Sequence, residues 1–175
     1  MFNLSIFGRK SVKIGGSKME YHDYVTMFSK RFSNVEKIKI SQSLVTVSYE
    51  EIFKIQWLAT KLKIFSFIHY SNKINLDDID NYSSICTKYA SKNHKGLPRG
   101  LQNGIVSFNL LISDVVTEEA IEFVCSRPKK HFSLFEMPII YDTTRRKLYY
   151  YKGTPMWGSM YQKYLRNYIE AHFNE

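Results

Sequence analysis

Two segments, LKIFSFIHY at 62–70 and IVSFNLLI at 105–112, are apolar or aromatic at almost every position. A strand with one wet face alternates apolar and polar residues, whereas a strand covered on both faces does not need to. Each segment therefore demands packing on both sides, and a helix signal follows each. Asn75 with Asp77 and Asp78 opens a helix in which Ile79, Tyr82, Cys86 and Tyr89 share a face. Thr117, followed by Glu118 and Glu119, starts another, which Arg127-Pro128 ends. Buried strands alternating with helices between 44 and 125 predict βαβ units with parallel pairing.

Other segments pair locally. Ile38 and Ile40, then Val45, Val47 and Tyr49, alternate around Ser41-Gln42-Ser43 as a hairpin or one long bent strand. MPIIYD and KLYYYK flank Thr143-Thr144-Arg145-Arg146 as a second hairpin. Residues 50–61 are ambiguous: Ile52, Ile55, Leu58, Ala59 and Leu62 make a helical stripe, with Glu50 and Glu51 suited to its first turn. Helical periods also run through Tyr21, Tyr24, Val25, Phe28 and Phe32, and through Trp157, Met160, Tyr161, Tyr164, Leu165, Tyr168, Ile169 and His172. Within residues 1–19, Phe2, Leu4 and Ile6 alternate as an edge strand and KSVKIGGSK is a basic turn region. The fold class is α/β, a mixed sheet with helices packed on its faces, with α+β as the alternative. One domain spans the 175 residues, a length that buries roughly 70% of the unfolded chain's surface.

The chain carries 25 Lys and Arg against 16 Asp and Glu, a net charge of +9. That sign suits an anionic partner: nucleic acid, an anionic surface or an acidic protein. Lysine, isoleucine, asparagine, tyrosine and phenylalanine are all abundant, a set that AT-rich coding also produces. The two cysteines, Cys86 and Cys125, fall on apolar sides of predicted helices as buried free thiols, which favours a reducing compartment. No apolar run approaches a membrane span, and the cations of MFNLSIFGRK follow its apolar stretch, unlike a secretory signal. The expected location is cytoplasmic.

Residues 92–104, KNHKGLPRGLQNG, hold Gly96, Gly100 and Gly104 with several cations and no acid. A phosphate-cradling loop runs from a strand into a helix, where free N–H groups converge. Here the order is helix, loop, strand, and the spacing matches neither GxxxxGK[ST] nor GxGxxG. The glycines therefore serve a helix cap at Gly96 and the turn before a strand, with Lys95 and Arg99 available to an anion. A second cationic stretch runs from Thr143 through Ile169 without an acid and includes Arg145, Arg146, Lys147, Lys152, Lys163 and Arg166. Its tyrosines 149–151 lie beside those cations, the pairing that single-stranded nucleic acid binding uses.

If the strands at 62–70, 105–112 and 137–142 are parallel, their carboxyl ends offer His69, Asp114 and Asp142, a group suited to a divalent metal or acid–base work. HExxH, paired CxxC and GxSxG motifs are absent from the sequence, and no cofactor is called for. The first expectation is a non-catalytic binding module whose basic loops engage an anionic partner, nucleic acid before acidic protein. Lys95, Arg99, Arg145, Arg146 and Lys147 would carry contacts, and Tyr150 would stack. The alternatives are a small metal-assisted phosphoesterase or nuclease on His69, Asp114 and Asp142, and a homodimer joined through the C-terminal helix.

Overall fold

The computed structural model describes residues 11–14, 17–40, 43–55, 60–96, 103–153 and 159–175. The strands expected at the centre are β5 (Thr60–Tyr70), β6 (Asn103–Ser113) and β8 (Leu134–Asp142). β5 pairs parallel with β6, and β6 pairs parallel with β8. Every residue of β6 and β8 is buried, as the unbroken apolar run of β6 requires. The crossovers carry α2 (Leu76–Asn93) and α3 (Glu118–Cys125). Asn75 and Asp78 form a reciprocal capping box at the start of α2, and the Thr117 hydroxyl accepts from Ala120 N–H at the start of α3.

Antiparallel strands complete a mixed sheet of seven, in the order β3-β4-β5-β6-β8-β7 with β9 also on β8. The first expected hairpin is β3 (Val35–Ile40) and β4 (Ser43–Lys54), and the second joins β8 to β9 (Lys147–Tyr149). A two-residue β7 (Lys130–His131) folds back on the start of β8. The basic turn region near the N-terminus contains a separate two-stranded ribbon, β1 (Ser11–Ile14) with β2 (Ser17–Glu20). The edge strand expected at Phe2–Ile6 lies outside the described residues.

The ambiguity of 50–61 resolves toward strand at both described ends, with residues 56–59 outside the described residues. β4 continues as strand through Lys54 and pairs with β5 to the register Lys54↔Thr60. Alternation serves both sides there: Ile52 sits opposite Leu62 in the core, and Glu51 meets Lys61 at 3.0 Å. Glu50 accepts from the Tyr168 hydroxyl. A stripe at i, i+3, i+7 also contains i, i+10 pairs of like parity, so cross-strand pairing overrode the helical period.

Two glycines have specific reasons. Gly96, past the end of α2, has φ +79°, in the left-handed region. Gly104 faces Leu62 across the β5–β6 ladder, and a Cβ there would lie 2.8 Å from Leu62 Cδ2. Pro138 also fits its place. Ile105 N–H donates to Ser133 O, so the even residues of β8 turn their backbone to the outer edge. Pro138 falls between the stretches that β7 and β9 pair, where a missing N–H costs no ladder bond.

The sheet's two faces are packed differently. α1 (Tyr21–Ser29) and α4 (Ser159–Phe173) cover one face, where Tyr24, Phe28, Leu165, Tyr168, Ile169 and Phe173 meet Val106, Phe108, Ile139 and Tyr141. Phe108 stacks on Tyr168 at 4.7 Å between ring centroids. α2 and α3 cover the other face with Cys86, Ala90, Ala120 and Val124. From the aromatic stripe of α4, Leu165, Tyr168 and Ile169 are buried in the chain's own core, and Tyr161 and Tyr164 pack against it half-buried. Cys86 is buried as expected, but Cys125 is exposed, because α3 ends at that residue. Among the described residues no helix is long and apolar enough to cross a membrane.

Ile169 is fully buried within the larger cluster. Ile169→Ala should therefore cost about 2–5 kcal/mol of unfolding free energy. Urea denaturation checks this, and a cost below about 1 kcal/mol, the ordinary surface range, would contradict the placement of α4.

Candidate anion-binding edge

Parallel pairing of β5, β6 and β8 brings His69, Asp114 and Asp142 to one end of the sheet. Their side chains are nevertheless engaged separately. His69 Nδ1 lies 3.2 Å from Leu44 O, and its ring stacks on Tyr82 of α2 at 6.0 Å. Asp114 accepts from the Tyr70 hydroxyl at 3.4 Å, and Tyr70 belongs to the opposite, α1/α4 face. Burial, then the Asp114 charge, pushes the Tyr70 hydroxyl up to about 12, which keeps it a donor. Asp142 accepts from the N–H groups of Thr144 and Arg145 and from the Arg145 guanidinium at 3.1 Å, closing the β8–β9 turn. Among the described residues no group of three or more His, Cys, Asp or Glu could hold a metal ion.

The basic residues divide likewise. Arg145 pairs with Glu118 at 2.7 Å as well as with Asp142, and Arg146 pairs with Glu175 at 2.9 Å. Tyr150 is only 4% exposed and donates to Glu170, so its ring is not presented for stacking; this corrects its expected role. Strand alternation set that outcome, since Tyr150 joins the core cluster while Tyr149 and Tyr151 remain half-buried. Lys95 lies over the Tyr49 ring at 5.9 Å, past the C-terminus of α2. That is the end of the sheet where β6 begins, whereas the Arg145–Lys147 turn follows the end of β8. Lys95 and the turn therefore share no surface. Arg99 lies outside the described residues.

Other cations gather along the β9 edge. Lys147 Nζ sits 5.0 Å from the Tyr149 ring centroid and Lys152 Nζ 5.2 Å from that of Tyr150. Arg166 of α4 donates to Lys152 O at 2.9 Å and Gly153 O at 3.3 Å, which ties this segment to the helix. The C-terminus of α3 is close by. Burial raises the Cys125 thiol pKa, while the charges of Lys152 and Lys147 and a bond with Tyr150 backbone lower it. Two residues further on, Arg127 flanks a cleft with Lys129, Tyr151 and Gln162 that has room for about 10 Å³, one water at most. Lys129 is paired with Asp80; among the described residues Arg127, Lys130, Lys147 and Lys152 make no ion pair.

A buried polar chain on the α2 face left no sequence motif. Ser83 Oγ donates to Glu136 Oε1 at 2.7 Å, Asn109 Nδ2 donates to Ser83 Oγ at 2.8 Å, and Ser107 Oγ donates to Asn109 Oδ1 at 2.7 Å. His131 Nε2 lies 2.6 Å from the other Glu136 oxygen. The carboxylate stands between hydroxyl and imidazole, the reverse of a nucleophile–base–acid relay. Its role is to satisfy buried polar groups, not to activate Ser83. Only the single polar letters inside apolar runs, such as Ser107 and Asn109, hinted at it.

Compared with protein-family models, curated proteins and solved structures, the chain matches none.

His69 gives a pH test. Burial holds its folded-state pKa below the free value, and the bond to Leu44 O only partly opposes this. The unfolded chain titrates near 6.5 and so binds more protons between the two values. The neutral ring's contribution is complete above about pH 6.5 and is lost as pH falls toward the folded pKa. The urea midpoint should therefore drop from pH 7 to pH 5, and His69→Asn should shrink that drop. A drop of the same size in the variant would contradict the assignment.

Proposed function

We propose that this protein is a non-catalytic binding module for single-stranded nucleic acid, contacted along the β9 edge. One observation supports this most: among the described residues Arg127, Lys147 and Lys152 make no ion pair, and they lie beside the half-buried Tyr149 and Tyr151. Cations neutralise phosphates, and adjacent aromatic faces accept bases without a sequence requirement. Arg145 and Arg146 act within the fold instead, and the Glu118 and Glu175 carboxylates beside them repel phosphate. An acidic protein is the other anion the edge would suit. It lacks the bases that would give Tyr149 and Tyr151 a purpose.

Polarisation of a labelled single-stranded oligonucleotide tests the proposal. Affinity should fall steeply with salt, at about 0.7 log unit per log salt for each phosphate contacted. The double variant Lys147→Glu, Lys152→Glu should bind at least about tenfold more weakly with a shallower salt slope. Arg145→Ala should stay within about twofold, since that guanidinium is already paired. No binding of single-stranded DNA or RNA at ~50 mM salt would overturn the proposal. So would binding of poly-glutamate with none of the oligonucleotide.

A further inference from the structure

The sheet's other edge carries a second concavity, far from β9. On the α1/α4 face, α1 packs on β5, while Val35 of β3 and Leu44 of β4 stay exposed among the described residues. A groove of about 430 Å³ opens there between α1 and strands β3, β4 and β5. Its volume falls within the range of small-molecule sites. Ile68 is fully buried in its floor, and Val25 of α1 forms one wall. Val35 and Leu44 stand at the mouth with 43% and 59% of their surface exposed, a cost for isolated large apolar side chains that an apolar occupant would remove.

Among the described residues lining the groove, Lys37 carries the charge and none is a carboxylate. The β3–β4 register sets Lys37 opposite Thr46 and between Val35 and Lys39 on the same face. A cation at the rim of an apolar trough selects an anion carrying a hydrocarbon body. We propose that this groove binds a small amphipathic monoanion, a carboxylate on a short alkyl or aryl body. The body lies over Ile68 between Val25 and Leu44, and the carboxylate meets Lys37. The site shares no residue with the β9 edge, so it stands or falls independently of nucleic-acid binding.

Octanoate is the probe, titrated into the ¹⁵N-labelled full chain and followed by amide shifts. The expected result is saturable change at Val25, Val35, Lys37, Leu44 and Ile68, with a Kd of about 0.1–1 mM for so small a ligand. Octanol, the same body without the charge, should bind at least about fivefold more weakly, and acetate should give no saturable change. Lys37→Glu and Leu44→Glu replace exposed side chains on the sheet's edge hairpin, so the fold tolerates them, as far-ultraviolet circular dichroism would verify. Each should weaken octanoate at least about fivefold. Absence of saturation, equal binding of octanol, shifts centred on Lys147–Lys152, or folded variants with unchanged affinity would each overturn the proposal.

Discussion

Strand β6 is buried at every position, and the architecture follows from that. Its edges are taken by parallel partners and its faces by helices. A parallel pair cannot be joined by a tight turn, so the connections from β5 to β6 and from β6 to β8 each carry a helix. Both crossover helices pack on one face. The opposite face must then be covered by helices outside those crossovers, and α1 and α4 supply that cover. Loss of either would bare Phe108 and its neighbours, since Phe108 stacks on Tyr168 of α4 and Tyr141 meets Phe28 of α1 edge-on at 5.1 Å.

The two faces solve burial by different chemistry. Toward α4 the core is aromatic, and the hydroxyls of Tyr141, Tyr150 and Tyr168 bond to the carboxylates of Glu175, Glu170 and Glu50 at the rim. Toward α2 the same strands carry Lys63, Ser107, Asn109 and Glu136, all nearly inaccessible. Polar groups so placed are tolerable only when mutually satisfied. Ser83 of α2 achieves this by accepting from Asn109 and donating to Glu136. Such a chain fixes the rotation of α2 against the sheet more narrowly than apolar contacts alone would, because a turned helix would strand a buried carboxylate.

Much of this was legible in the sequence because it is local. Apolar runs marked β5 and β6, caps at Asn75 and Thr117 marked the crossover helices, and alternation marked both hairpins. The rest depends on partners distant in the chain. Residues 50–54 satisfy a helical period as well as a strand's, and only pairing with 60–64 decides between them. The outward place given to Tyr150 failed because strand parity was set by β8 and not by the local run of tyrosines. Glu118 and Glu175, which neutralise Arg145 and Arg146, lie 27 and 29 residues away in sequence. A count of charge along the chain therefore overstated the turn's free charge and missed how Lys152 is held beside α4 by Arg166.

The same geometry separates the two cationic regions that the sequence had joined. Because β5, β6 and β8 run in one direction, the glycine-containing segment enters the sheet at one end and the Arg145–Lys147 turn leaves at the other. Gly96 and Gly104 are explained by backbone conformation and close packing against Leu62, without a ligand. The nucleic-acid proposal accordingly rests on the β9 edge alone. Amide-shift mapping of the ¹⁵N-labelled chain with a single-stranded oligonucleotide at low salt tests this most directly. Shifts should concentrate at Arg127–Lys130 and Lys147–Lys152 and leave Lys95–Gly104 unmoved. Shifts centred on Lys95–Gly104, with the β9 edge silent, would contradict the account.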